Sequence, residues 1–339
     1  MGVGIDLPLV WAVIILFSVM MYVVMDGFDL GIGILFPFFR TKEDRDVMMN
    51  TVAPVWDGNE TWLVMGGAGL FVAFPLAYAV VLSAFYLPLV LMLVGLVFRG
   101  VAFEFRFKAR EHRRWIWDRA FAGGSYAATF FQGVTLGGFL EGVPVRDGAY
   151  AGSPFAWLAP FPLFVGLGLV ATYALLGGTW LVIKTEGPLH RRMRAVSRIL
   201  AWVLLAFIAA VSLWTPLSQP AVAERWFSLP NLFWFAPVPV LVVLVTLYLQ
   251  RELHSPGTHA LPFVLTLALV FLGYSGLGIS LWPNVIPPDI SIWEAAGPPQ
   301  ALGFTLVGAL LIIPMILGYT ALGYWVFRGK VRAGEGYHG

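Results

Sequence analysis

Four carboxylates stand inside apolar sequence near the start of this chain: Asp26 and Asp29 in YVVMDGFDLG (residues 22–31), Asp57 and Glu60 in PVWDGNETW (residues 54–62). A carboxylate in the middle of a bilayer costs several kcal/mol, roughly 2.5 to 3.5 on insertion scales, so each needs a partner, a proton or water. A helical spacing of three puts Asp26 with Asp29, and Asp57 with Glu60, on one face of its helix, while Gly27 and Gly58 let a neighbouring backbone come close. The implied arrangement is two facing acidic stripes. Arg99 and Glu104 approach the same side from the end of a third apolar run. Four carboxylates against one arginine, before Glu104 is counted, cannot all be ionised cheaply in low dielectric, so at least one should hold a proton near neutral pH. A chain of such groups relays protons. The competing reading is structural: Asp26 and Asp29 pin helices through hydrogen bonds, and Arg99 neutralises Asp57.

The elements that position these groups follow from composition. The 339 residues are 59% hydrophobic and 12% charged, with a mean hydropathy of +0.81, far from a soluble globular domain. Apolar runs of membrane-spanning length recur along the chain, so the reading is an all-α integral membrane protein, and a barrel of short alternating strands is excluded. The N-terminus has neither a basic region nor a small-residue cleavage site, and the first helix is expected to stay. The absence of cysteine excludes disulfides, thiolate-held iron-sulfur clusters and thiol catalysis. A formal net charge of +2 says little, and nucleic acid is not an expected partner.

About nine transmembrane helices are expected, near 8–38, 52–74, 77–103, 116–140, 155–183, 197–217, 231–250, 260–282 and 302–327. The apolar stretch from Val52 to Phe103, roughly 78 Å long as helix, must turn once, and Phe74-Pro75 is the expected corner. With the N-terminus outside, 18 of the 21 Lys and Arg residues fall in inner loops and only Arg146 and Arg225 in outer ones. That asymmetry predicts N-outside and C-cytoplasmic termini. On this map Asp26 and Asp57 lie roughly 18 to 21 Å along the chain from the inner basic loop, within the membrane. A shift of 151 residues lays Tyr22, Gly27 and Leu30 on Tyr173, Gly178 and Leu181, and Pro88 on Pro239. Either helices 1 to 4 mirror 5 to 8, or the matches are chance in so apolar a sequence. The domain reading is a first four-helix bundle carrying the acidic motifs (1–140), a second four-helix bundle (141–283), and one extra helix with a cytoplasmic tail (284–339). The connections Glu141 to Pro154 and Pro283 to Pro299 read as ordered loops.

His112, His190, His254, His259 and His338 all fall in expected loops or at the C-terminus, so no membrane-embedded histidine is offered to a haem or a metal. Methionines in the spans read as packing. The basic clusters at Lys108 to Arg119 and Arg191 to Arg198 read as topology signals and lipid-headgroup contacts. No phosphate loop or nucleophile-base arrangement is present.

YVVMDGFDLGIGIL, PVWDGNETWLV and LPLVLMLVGLVFRGVAFEFR, in that order and spacing over the first third of the chain, resemble subunit II of the cytochrome bd-type quinol oxidases, including the cyanide-insensitive members. The resemblance implies a chain without haem that pairs with a haem-bearing subunit I in the bacterial inner membrane. There the partner, with haems b and d, oxidises quinol and reduces dioxygen to water. Subunit II supplies scaffold and part of a cytoplasmic proton route. By the same resemblance Asp57 sits at the proton-entry acid, and Asp26, Asp29, Arg99 and Glu104 occupy the matching polar positions. Glu60 stands where some relatives carry glutamine. Small accessory subunits, and a structural quinone or lipid bound by this chain, stay open. The rival reading is a secondary transporter with midplane carboxylates; a third is a purely structural assembly subunit.

Overall fold

The computed structural model describes residues 4–255, 257 and 260–334. The chain is all-helical apart from two short hairpins. Its helices run α1 (Leu7–Leu35), α2 (Lys42–Asn50), α3 (Trp56–Ala73), α4 (Pro75–Ala84), α5 (Tyr86–Lys108), α6 (Arg114–Glu141), α7 (Pro160–Lys184), α8 (Gly187–Ser218), α9 (Pro220–Phe227), α10 (Asn231–Phe235), α11 (Pro237–His254), α12 (Leu261–Leu281) and α13 (Pro299–Val326). Among the described residues seven of these helical stretches are long and apolar enough to cross a membrane: those built on α1, α5, α7, α8, α10 with α11, α12 and α13. This is a multi-pass membrane protein. The helices α3 and α6, of 18 and 28 residues, fall outside that group. Acidic residues and glycines dilute α3, and Arg114, Asp118 and Arg119 open α6.

Proline chemistry accounts for the largest departure from the expected boundaries. The corner at Phe74-Pro75 is present, with Phe74 outside helical geometry at φ −133° and ψ 68°. The expected span 77–103, however, is two helices: α4 ends at Ala84 and α5 begins at Tyr86. Pro88 cannot donate to the carbonyl four residues back, and its ring collides with it, so the helix breaks at Ala84. The expected span 231–250 divides in the same way, with α10 ending at Phe235, four residues before Pro239. The two breaks lie 151 residues apart, at positions the proposed internal repeat aligns. The basic stretch Arg191 to Arg198, read as an inner loop, is helical and opens α8. A short helix, α2, stands in what read as the loop after the first span; Thr41 caps it by accepting from the Asp44 N–H at 3.3 Å.

Glycines set the spacing where backbones cross. A Cβ on Gly177 of α7 would lie 2.5 Å from the Gly31 carbonyl carbon of α1, and one on Gly95 of α5 would lie 2.7 Å from the Gly124 oxygen of α6. Only hydrogen fits at either crossing, so α1 meets α7, and α5 meets α6, at backbone distance. Around them α1 also packs on α3 and α6, α6 on α7, α7 on α8 and α12, and α11 on α8 and α12. The main apolar core, including Phe28, Leu30, Ile32, Tyr173, Leu176 and Leu181, forms along α1 and α7. The expected ordered loops are hairpins: β1 (Val145–Arg146) with β2 (Ala149–Tyr150), and β3 (Asn284–Ile286) with β4 (Ile290–Ser291). The first turns through Asp147 and Gly148, both at positive φ.

The C-terminal segment straps α13 to the α7–α8 turn. Lys184 Nζ donates to the Phe327 carbonyl and, at 3.3 Å, to that of Gly329. The Val331 N–H donates to the Lys184 carbonyl at 2.9 Å, and Lys330 Nζ to that of Thr185 at 3.1 Å. Burial lowers the Lys330 pKa, and the nearby Glu186 carboxylate offsets part of that.

Candidate functional site: a buried charge cluster

Arg99 is the centre of the site. It lies on α5 just past the Gly95 crossing and is fully buried. An unpaired guanidinium there would be expensive, and the chain answers with carboxylates from two other helices. Asp26 Oδ1 of α1 lies 2.8 Å from Arg99 Nη1, with both side chains at 0% exposure. Glu60 Oε1 of α3 accepts from Arg99 Nη2, with 27% of its side chain exposed. Trp56 and Phe103 stack at 5.0 Å, and the guanidinium carbon lies 5.9 Å and 6.0 Å from the two rings. Aromatic faces thus cover the cation where carboxylates do not.

Asp29, one turn beyond Asp26, has no contact with Arg99. Its Oδ2 accepts from Asn59 Nδ2 of α3 at 2.8 Å. Asn59 Nδ2 also reaches the Met25 carbonyl at 3.2 Å, and Asn59 Oδ1 accepts from the Tyr324 hydroxyl of α13 at 2.9 Å. Tyr22, one turn before Asp26, is buried, and Tyr173 of α7 packs over Gly27 while its hydroxyl donates to Gln132 at 3.1 Å. Sequence reasoning passed over Asn59, Tyr22, Tyr173 and Tyr324. Neutral polar groups in apolar helices carry no charge penalty to flag them, although Asn59 stood inside a motif already singled out.

Asp57 and Glu104 do not join the cluster. Asp57 lies in the first turn of α3, exposed and without an ion pair among the described residues. The expectation that Arg99 neutralises or tunes Asp57 is therefore corrected: its partners are Asp26 and Glu60. Nor do Asp57 and Glu60 share an environment, since α3 points Asn59 toward α1 and Asp57, some 200° round the helix, away from it. Glu104 is exposed and pairs with Lys108 at 3.3 Å, a surface contact.

A second charge network closes the end that carries the basic loops. Arg106 Nη1 donates to Asp46 at 2.6 Å and its Nε to Asp118 at 2.6 Å, while Arg45 Nη1 reaches the other Asp118 oxygen at 2.8 Å. Arg106 is 2% exposed. It and Arg45 therefore serve inside the protein, tying α2, α5 and α6, where the sequence counted them only as inner-loop charges that set orientation.

Of the five histidines, the three among the described residues lie at helix ends or on the surface. His190 lies in the first turn of α8 with Nδ1 3.1 Å from the Val182 carbonyl, His254 ends α11 against the Gln250 carbonyl at 2.6 Å, and His112 is exposed. The first two occupy helix ends rather than the expected loops; His259 and His338 lie outside the described residues. Among the described residues no group of three His, Cys, Asp or Glu side chains is arranged for a metal ion.

The stretches that meet at Arg99 fall inside a longer match: the sequence model described as cytochrome bd terminal oxidase subunit II matches residues 7–327. The chain belongs to that family. Subunit 2 of the cytochrome bd-I ubiquinol oxidase of Escherichia coli is 31% identical, over 96% of this chain and 95% of its own length. The probable cytochrome oxidase subunit 2 of Haemophilus influenzae is also 31% identical, with 96% of each chain covered. Subunit 2 of the cytochrome bd ubiquinol oxidase of Bacillus subtilis is 27% identical, covering 95% and 96%. A chain of the bd oxidase structure from Geobacillus thermodenitrificans shares the fold, with a TM-score of 0.74, 17% identity and coverage of 94% and 98%.

Proposed function

We propose that this chain is the non-haem subunit II of a bd-type terminal quinol oxidase in the bacterial inner membrane. A haem-bearing subunit I, with haems b and d, oxidises quinol and reduces dioxygen to water, while this chain supplies scaffold and a cytoplasmic proton-uptake path. The family match across residues 7–327 carries the reading. Reduction of dioxygen to water consumes protons, and carboxylates at graded exposure are suited to deliver them. The route begins at exposed Asp57, continues through half-exposed Glu60, and enters the buried pair of Asp26 with Arg99 and then Asp29. Glu104, turned to the surface by Lys108, stands beside this route. Asp57 also marks the face the partner covers. It shares its side of α3 with Val64 and Phe71, 69% and 58% exposed, and a carboxylate among apolar side chains at membrane depth calls for a polar group opposite. Membrane lipids cover the open apolar faces of α8 and α11, at Leu213 and Leu217 and at Val240 and Leu244. The test is purification from membranes: a coloured haem protein that takes up oxygen with quinol is expected, and a colourless preparation that binds a solute or ion would overturn the reading.

Nine spans in two four-helix units plus α13, with the N-terminus outside and the C-terminus cytoplasmic, accord with this function. The matched proline breaks at Ala84 and Phe235 support the two units, and the basic-residue asymmetry supports the orientation. A reporter fused after α13 is expected to be active only in the cytoplasm. Activity on the outer side would reverse the map and disconnect Asp57 from cytoplasmic protons.

A further inference from the structure

Asp29 differs from the other buried acid in what surrounds it. Both have buried oxygens without a hydrogen-bond partner, but Asp26 has the Arg99 ion pair, whereas Asp29 has only an amide on one oxygen and nothing on its Oδ1. The orientation of that amide is determined by its neighbours. Two acceptors, Asp29 Oδ2 and the Met25 carbonyl, lie on its nitrogen side, and turning it over would set oxygen against oxygen twice. Asn59 Oδ1 therefore faces α13, where only a donor satisfies it, and the Tyr324 hydroxyl donates. Tyr324 is itself held. Its ring packs at 5.9 Å from Trp180 and 6.3 Å from Phe28, and one turn later Lys184 grips the Phe327 carbonyl.

The charges around Asp29 come from every side. Asp26 and Tyr22 lie on its own helix, Glu60 on α3, Arg99 on α5, Tyr173 on α7 and Tyr324 on α13. The one cation among them, Arg99, makes its ion pairs with Asp26 and Glu60 and none with Asp29. A negative Oδ1 on Asp29 would meet neither a donor nor an uncommitted cation in low dielectric, whereas a hydroxyl there leaves Oδ2 as the neutral acceptor Asn59 requires. We propose that Asp29 stands protonated on Oδ1, as the proton store of the buried site, and that Tyr324 is the positioning residue that keeps it so through Asn59. The proposal rests on the proton-path reading only for its use, since the protonated acid follows from this geometry alone.

Infrared spectra of the purified oxidase complex, in water and deuterium oxide, test it. Asp29→Asn should remove one carbonyl band of a protonated carboxylic acid, and Asp29→Glu should move that band. Tyr324→Phe keeps the ring in its aromatic cluster but removes the donor to Asn59 Oδ1, which weakens the amide N–H as a donor to Asp29 Oδ2, so the band should persist and shift to higher frequency. Identical protonated-acid bands in wild type and Asp29→Asn would overturn the proposal, and so would an unshifted band in Tyr324→Phe. If Asp29→Asn does not assemble, the Tyr324→Phe shift decides alone. Expected bands together with wild-type oxygen uptake in Asp29→Asn would leave the protonated acid standing and remove it from the path.

Discussion

Arg99→Leu is expected to prevent accumulation of the assembled oxidase. The substitution strands Asp26, fully buried, and removes the partner of Glu60 in the same step. Breaking a buried pair from one side costs about 3 to 5 kcal/mol, a large share of the stability of most proteins. Arg99→Lys retains the charge but offers a point donor where two carboxylates from different helices need a fork, so it should recover only part of the yield. Removing both charges is the informative control. Arg99→Leu with Asp26→Leu leaves only the part-exposed Glu60 without its cation and should assemble better than Arg99→Leu alone. Membrane content of both subunits and the thermal midpoint of the complex measure these effects. An Arg99→Leu complex with wild-type abundance and midpoint would show that the pair is not desolvated.

Asp57→Asn, in contrast, leaves assembly and haem spectra intact while turnover falls by roughly 100-fold or more, the usual range for loss of a proton-transfer group. The two expectations separate because the two side chains sit so differently. Asp57 makes no ion pair within this chain, so an isosteric amide strands no charge here and keeps the size and most hydrogen bonds of the acid. A rate loss at Asp57 then reports on proton delivery rather than on fold. Asp57→Glu, which carries an exchangeable proton on a longer stem, should regain part of the rate. Quinol-driven oxygen uptake, with proton uptake followed in vesicles, checks both variants. Wild-type turnover of Asp57→Asn across the pH range would remove the relay role and favour a structural one for the whole acidic motif.

Charge in an apolar helix is costly enough to announce itself in sequence, and that cost made Asp26, Asp29, Asp57, Glu60 and Arg99 legible from the start. Apolar run length likewise announced a helical membrane protein, and Phe74-Pro75 announced a corner, because both are local properties of the chain. The helix breaks at Ala84 and Phe235 were also written locally, in Pro88 and Pro239, but a hydropathy reading averages over a proline and joins the helices it separates.

Which charges meet is a different kind of information. Spacing of three places Asp57 beside Glu60 on α3, yet the direction that face takes depends on how α3 rotates against α1 and α5. Close crossings at Gly31 with Gly177 and at Gly95 with Gly124 position the frame in which it packs. Within that frame Asn59 turns inward, Glu60 reaches Arg99, and Asp57 is left outside. The link from Tyr324 to Asn59 spans 265 residues of sequence, and neither side chain carries a charge whose burial would have marked it. Sequence by itself determined the kinds of group the membrane must accommodate, since burial cost belongs to each residue. Tertiary structure alone decided their partners, because pairing depends on the rotation and contact of helices far apart in the chain.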